Sequence, residues 1–209
     1  AKAEMAVLEK LKPHLEAGNP ARSLELTEDE QAVVKQYNLL TSKPVIYVAN
    51  LDEEGIADPE AVPYFVQVRE LAEKEGSEVV AVCAKIEEEL SSLDKEEKEM
   101  FLEELGLPQS GLDQLIQKAY KVLGLCTFLT AGEDECRAWT FKQGMKAPDC
   151  AGVIHTDFKR GFIRAEVYRF EDIDELETEQ AIKEAGRMRL EGKEYTAQDG
   201  DVMHFRFNV

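Results

Sequence analysis

Long apolar runs are missing from this 209-residue chain. Its longest are strand-length, so nothing in it is expected to span a bilayer. No basic-plus-apolar leader opens it, so the expectation is a cytoplasmic protein without a secretion signal. Cysteine and histidine are scarce, at four and three residues. Cys83, Cys126, Cys136 and Cys150 show no CxxC spacing. They read as reduced thiols, not a disulfide frame or a zinc site. His155, beside Thr156 and Asp157, invites a catalytic reading. It has no second histidine or cysteine at ligand spacing, so it reads as a structural residue fixing the turn into a strand at Phe162.

Positive charge is also short: 25 Lys and Arg stand against 43 Asp and Glu, a net charge of −18. This argues against broad, nonspecific nucleic-acid binding, and DNA is not an expected partner. The imbalance is uneven. Residues 1–124 hold 26 acids and 13 bases, whereas residues 125–209 hold 17 and 12. Lys159, Arg160, Arg164 and Arg169 cluster in the second part, followed by Arg187, Arg189, Lys193 and Arg206. An RNA contact is open if they converge on one face; taken singly, each reads as mixed solvated surface.

The organising stretch is Lys43–Gly55, KPVIYVANLDEEG. A short apolar, β-branched run ends in Asn50-Leu51-Asp52-Glu53. Nucleotide-binding α/β domains build base-reading loops this way, at the carboxyl end of a buried parallel strand. Asn50 can fix the loop, and the Glu53 carboxylate can accept from N–H groups of a base. A second strand, Ser77–Val82, ends in Cys83-Ala84-Lys85 at the spacing of a βαβ crossover. Two ordinary parallel strands with polar tips would read the same way. Both strands are continuously apolar, so both faces expect cover from helices.

Around this centre, Ala3, Val7, Leu8, Leu11 and Leu15 predict a helix over 1–17. Thr27 with Glu30 predicts a capping box and a helix to about Leu40. The pair is consistent with a coiled-coil arm or with bundle helices. Further helices are expected over 64–74, 86–105 and 111–123; the acidic runs Glu87–Glu89 and Glu96-Glu97 read as solvated faces. The character changes near Leu125. Strands are expected at 126–130, 137–141 and 162–170, with helices at 149–155 and 179–190. A hairpin is expected between 195–197 and 202–207, turning at Asp199-Gly200. That mixture suggests a compact α+β domain.

Assembled, the chain resembles the YchF family, the Obg-like ATPases of the translation-factor GTPase class. The resemblance runs almost end to end. It rests on KPVIYVANLDEEG, EGSEVVAVCAKIE, GLDQLIQKAYKVLGLCTFLTAG, RAWTF, IHTDFKRGFIRAEV, EAGRMRLEGKEY and DGDVMHFRFNV. It implies an α/β fold: the C-terminal part of a P-loop NTPase (G) domain with a helical coiled-coil arm, then an α+β ubiquitin-like β-grasp (TGS) domain. The implied divisions are 1–40 for the returning arm of a helical insertion, 41–124 for the G-domain part and 125–209 for the TGS-like domain, with Trp139 in its core. It implies a ribosome-associated ATPase acting as a nucleotide-dependent switch, with ATP preferred over GTP. Asn50, Leu51, Glu53, Cys83, Ala84 and Lys85 would hold the base. Leu51 stands where GTPases carry lysine, and Glu53 is one methylene longer than their aspartate. Cys83 departs from the family's serine and removes a hydroxyl that braces the loop.

The chain contains no G-x-x-x-x-G-K-[ST] phosphate loop, and its Asp-x-x-Gly strings, Asp52–Gly55 and Asp149–Gly152, do not follow one. By the resemblance the phosphate loop and the metal loop precede Ala1, so the expectation is the C-terminal part of a longer protein. No catalytic residue and no metal ligand is then expected in this chain, Mg²⁺ being held elsewhere. Partners implied are ATP and the ribosome, by its large subunit or ribosomal RNA through Lys159, Arg160 and Arg164; a monomer without membrane contact is expected. The other reading is a binding module without catalysis.

Overall fold

The computed structural model describes residues 2–132 and 135–208. The chain divides into two compact units, Ala1–Val122 and Leu123–Val209. Among the described residues no helix is long and apolar enough to cross a membrane.

The first unit opens with α1 (Lys2–Glu16) and α2 (Glu28–Gln36). Val7, Leu11, Ala21 and Val34 form their shared buried cluster. The Thr27–Glu30 capping box forms as the sequence predicts. The helix stops at Gln36, short of Leu40, because Asn38 takes a left-handed backbone at φ 49°. Asparagine tolerates that conformation and commonly ends helices this way.

Strand β1 (Ile46–Asn50) runs into α3 (Glu53–Ala57), then α4 (Pro63–Glu75) and β2 (Glu78–Val82). The strands pair in parallel from Ile46↔Glu78 to Asn50↔Val82. Glu75 ties the crossover together, accepting from Tyr47 Oη and Arg22 Nη2, each at 2.8 Å. The Arg22 hydrogen bond, then that from Tyr47, lowers the Glu75 pKa. Cover is unequal. Val80 on β2 is buried, whereas Val48 on β1 is 49% exposed, so the expected burial of both strand faces is not met there.

The acidic stretch 86–105 divides into α5 (Ala84–Ser91) and α6 (Lys95–Glu104). Ser91 and Ser92 hydroxyls bond back to the carbonyls of Glu88 and Glu89, and Asp94 with Glu97 forms a fresh capping box. These local bonds compete with helix continuation. The α5 residues Ile86 and Leu90 pack with Cys83 into a cluster flanked by Ile56, Phe101 and Leu102. Helix α7 (Gly111–Leu123) follows; its Lys118 donates to the Val79 carbonyl of β2 at 2.6 Å.

The second unit contains β3 (Leu125–Ala131), β4 (Cys136–Lys142), α8 (Ala147–Ile154), α9 (Thr156–Arg160), β5 (Phe162–Arg169), α10 (Phe170–Leu176), α11 (Glu179–Glu184), β6 (Arg189–Glu191) and β7 (Asp201–Phe207). Its described strands form one sheet of order β4-β3-β7-β5-β6. The β3–β7 pair is parallel and the other pairs are antiparallel. Phe128, Phe141, Phe162, Val167, Met203 and Phe205 join Ala147, Cys150 and Ala151 of α8 in the main core. Tyr168, Ile182 and Val202 form a second cluster with Ile173 and Leu176.

Two expectations fail here. The helix over 179–190 ends at Glu184, since Gly186 turns left-handed at φ 70° and Arg189–Glu191 pairs with β5 instead. Tyr195–Ala197 is not the hairpin partner of β7. Thr196 bridges Lys146, while β7 inserts between β3 and β5. The Asp199-Gly200 turn does form, but Asp199 accepts from the Thr127 amide at 2.6 Å and so leads the chain to β3. Helices α3, α9 and α10 were not anticipated; each is five to seven residues long, too short for a periodic signal.

Candidate functional site

Because β1 and β2 are parallel and Asn50 pairs with Val82, their carboxyl ends open at one level. The loops that follow meet there. Leu51 donates its amide to the Val82 carbonyl at 2.8 Å, carrying the pairing one residue further. Asn50 Oδ1 accepts from the Ala84 amide at 3.0 Å. The asparagine is therefore a strut between the loops, which leaves its amide nitrogen side to meet a ligand. Cys83, which opens the second loop, is buried.

Asp52 caps α3: its Oδ1 accepts from the Gly55 amide at 2.8 Å. A Cβ at Gly55 would stand 3.0 Å from that oxygen and 3.1 Å from Val62 Cγ2, so glycine keeps the turn tight. The cap fixes Glu53 as the first helical residue, directed by the helix start. Lys85 Nζ meets Glu53 Oε1 at 2.5 Å. The hydrogen bond, and then the charge, of Glu53 raise the Lys85 pKa. Together Asn50, Leu51, Asp52, Glu53, Cys83, Ala84 and Lys85 line an open cavity of about 340 Å³. All six residues singled out from the sequence are in that lining, with Asp52 added. Its cap was legible as an acid three residues before a glycine at a helix start.

This cavity does not fit a divalent cation. Glu53 is committed to an ammonium and Asp52 to a backbone amide. Among the described residues no three His, Cys, Asp or Glu side chains converge to hold a metal. The acid run after the second loop has a different task at its first member. Glu87 accepts from the Gly111 amide at 2.7 Å and from Leu112 at 3.3 Å, capping α7.

Five of the eight basic residues grouped in the sequence of the second unit are paired with acids. Lys159 is held by Asp149 at 2.6 Å and Arg160 lies 3.5 Å from Asp157. These two line a cavity of about 700 Å³ with Met145, Gly152, Val153 and Thr156; Arg164 on β5 does not. Arg187 is taken by Asp172 and Glu175, Arg189 by Glu191 and Asp201, and Arg206 by Glu166. His155 caps α9, its Nδ1 accepting from the Asp157 amide at 3.2 Å. Trp139 is half-buried against Phe128 and donates to Thr130 Oγ1 at 2.9 Å.

Residues 125–208 match the YchF-GTPase_C family, described as "Protein of unknown function (DUF933)". The chain is 59% identical over 206 residues to the "Ribosome-binding ATPase YchF" of Bacillus subtilis, covering 99% of this chain and 56% of that protein. It is 52% identical over 209 residues to the protein of the same name from Escherichia coli O157:H7, covering 100% and 57%. The chain thus spans a little over half the length of these relatives. Among solved structures, the Schizosaccharomyces pombe YchF GTPase matches with a TM-score of 0.86 and 33% identity, covering 98% of this chain and 55% of that one. A GTP-binding protein from Pyrococcus horikoshii, at TM-score 0.57 and 18% identity, shares the fold.

Proposed function

The chain belongs to the YchF family, and from that premise we propose that it is the base-selecting and C-terminal part of a ribosome-associated ATPase. The single observation that carries the site is the Asn50–Ala84 strut, which joins two strand-end loops around one cavity. The purine would enter between Leu51, whose aliphatic body packs on the ring, and the Ala84-Lys85 backbone. Glu53 would accept from the exocyclic amine of adenine. Its extra methylene displaces the carboxylate from the position an aspartate needs to meet guanine, which favours ATP over GTP.

Bound Mg²⁺ would neutralise phosphate charge during transfer, and in this reading its ligands would lie outside this chain. This chain's own work is to orient the base. In this reading the phosphate cradle, the metal ligand and the water-positioning group lie outside residues 1–209, and hydrolysis requires them. Helices α1 and α2 would be the returning arm of the helical insertion. In the second unit, the sheet order β4-β3-β7-β5-β6 with α8 crossing after the first hairpin supports a TGS-type β-grasp domain. Lys159, Arg160 and Arg164 would contact ribosomal RNA of the large subunit.

The test is ATP hydrolysis and ribosome cosedimentation by the full-length protein and by residues 1–209. Turnover by the first and none by the second is expected. Turnover by residues 1–209 alone would overturn the division of labour, and a full-length protein inert toward ATP would overturn the reading.

A further inference from the structure

Lys85 belongs to the loop after β2 and Glu53 to the loop after β1, yet their charged atoms meet inside the cavity at 2.5 Å. A free carboxylate is acceptor-only, with two oxygens that can take two parallel N–H donors. The N1–H and N2–H₂ edge of guanine offers that pair of donors. Adenine offers one donor, the N6 amine, beside one acceptor, N1. The ion pair changes what Glu53 presents. Oε1 is occupied by the ammonium, which leaves Oε2 as acceptor. The ammonium carries three N–H bonds, and those not spent on Oε1 are donors.

We propose that Lys85 is a specificity-determining residue, one that converts the Glu53 carboxylate from a guanine-type double acceptor into a mixed donor–acceptor edge suited to adenine. This rests on the nucleotide reading of the same cavity and adds to it a residue that discriminates between bases. Both side chains are largely exposed, 69% for Lys85 and 55% for Glu53, and an exposed pair has little value by itself. The discrimination arises when a base covers the pair. Guanine would then have to displace Lys85 from Oε1 to engage both oxygens, leaving an ammonium facing N–H donors in a site covered by the base. A polar group left unmatched in such a site is costly, whereas the same group in open solvent is not.

The experiment measures dissociation constants of the full-length protein for ATP and GTP, by competition against a fluorescent nucleotide. It compares the unaltered protein with Lys85→Met, which keeps the aliphatic stem, and Lys85→Arg, which keeps the charge. The Met variant is expected to move the ATP-over-GTP ratio toward GTP by about tenfold, the scale of one mismatched hydrogen bond. The Arg variant should stay near the original ratio. A Met variant that binds both nucleotides at an unchanged ratio overturns the role of Lys85 and leaves the nucleotide reading standing. An unaltered protein that binds neither nucleotide overturns the reading and the inference together. Equal loss for both nucleotides in both variants would mean a merely structural lysine and would also overturn the proposal.

Discussion

Asn50 and Ala84, 34 residues apart in sequence, are joined by one hydrogen bond of 3.0 Å from the Ala84 amide to Asn50 Oδ1. That bond turns two strand ends into one cavity. Without it, the loops after β1 and β2 would still be neighbours through the parallel register and the Lys85–Glu53 pair, but the first residue of α5 would lose its tie to the end of β1.

Base preference is the first consequence to test. Replacing Glu53 by Asp brings the carboxylate back by one methylene, toward the guanine-type reach and away from Lys85. The full-length protein should shift from ATP toward GTP, measured as the ratio of the two dissociation constants. Sites built around a particular hydrogen-bonding edge reject the wrong one strongly. An unchanged ratio would sink this assignment of Glu53.

Ribosome contact can be probed by reversing Lys159, Arg160 and Arg164 to Glu. Cosedimentation should weaken and lose part of its salt dependence, because phosphate contacts release counterions. Lys159 and Arg160 are each shared with an aspartate, so Arg164 should account for the larger share of the effect. Hydrolysis off the ribosome should hold its rate. Identical cosedimentation at every salt concentration would return these residues to plain surface.

The second unit should fail in alkali in a defined window. Burial first, and the hydrogen bond to Asp201 second, push the Tyr195 pKa up to about 12. The ordinary value is 10.0, so the unfolded chain loses this proton before the folded one. The stabilising contribution is therefore complete below pH 10 and disappears as pH rises toward 12. Tyr195→Phe should show a shallower loss of unfolding midpoint across that window. At neutral pH, Asp201→Ala should cost about 3 kcal/mol, because the buried carboxylate serves Tyr195, Gln198 and Arg189. Denaturant unfolding checks both; parallel pH curves for Tyr195→Phe and the unaltered protein would refute the first.

Separate expression tests the two units. Residues 123–209 hold a full sheet with its own aromatic core and should unfold cooperatively alone. Residues 1–122 have two paired strands and a half-exposed Val48, and so small a sheet is marginal in water. They should show weak amide protection at Val45–Val48. Strong protection there, with a sharp melting transition, would contradict this.

What the sequence made legible follows from where its signals are local. The capping residue Thr27, the apolar strand before Asn50 and the turn at Gly200 each act over a few residues, and each formed. The candidate cavity was legible because parallel strands bring their carboxyl ends together, so two motifs separated by a crossover had to meet. The route of β7 was not legible. Its neighbour is chosen by Asp199 reaching Thr127, 72 residues away, and no pattern near 195–207 encodes that. The paired state of the basic residues was hidden for the same reason: Arg187 and Arg206 find their acids on other elements. Lys85 was visible as part of a motif, but its grip on Glu53 depends on the helix start that Asp52 sets.

The central claim is that a nucleotide base sits between the loops at Asn50–Glu53 and Cys83–Lys85. Its most direct test is an ATP titration of the ¹⁵N-labelled full-length protein, following the backbone amides of Leu51, Ala84 and Lys85. Saturable shifts are expected at those amides, abolished by Asn50→Ala, while the amides of β5 and β7 stay still. Saturable ATP binding that leaves the amides of both loops unmoved would contradict it.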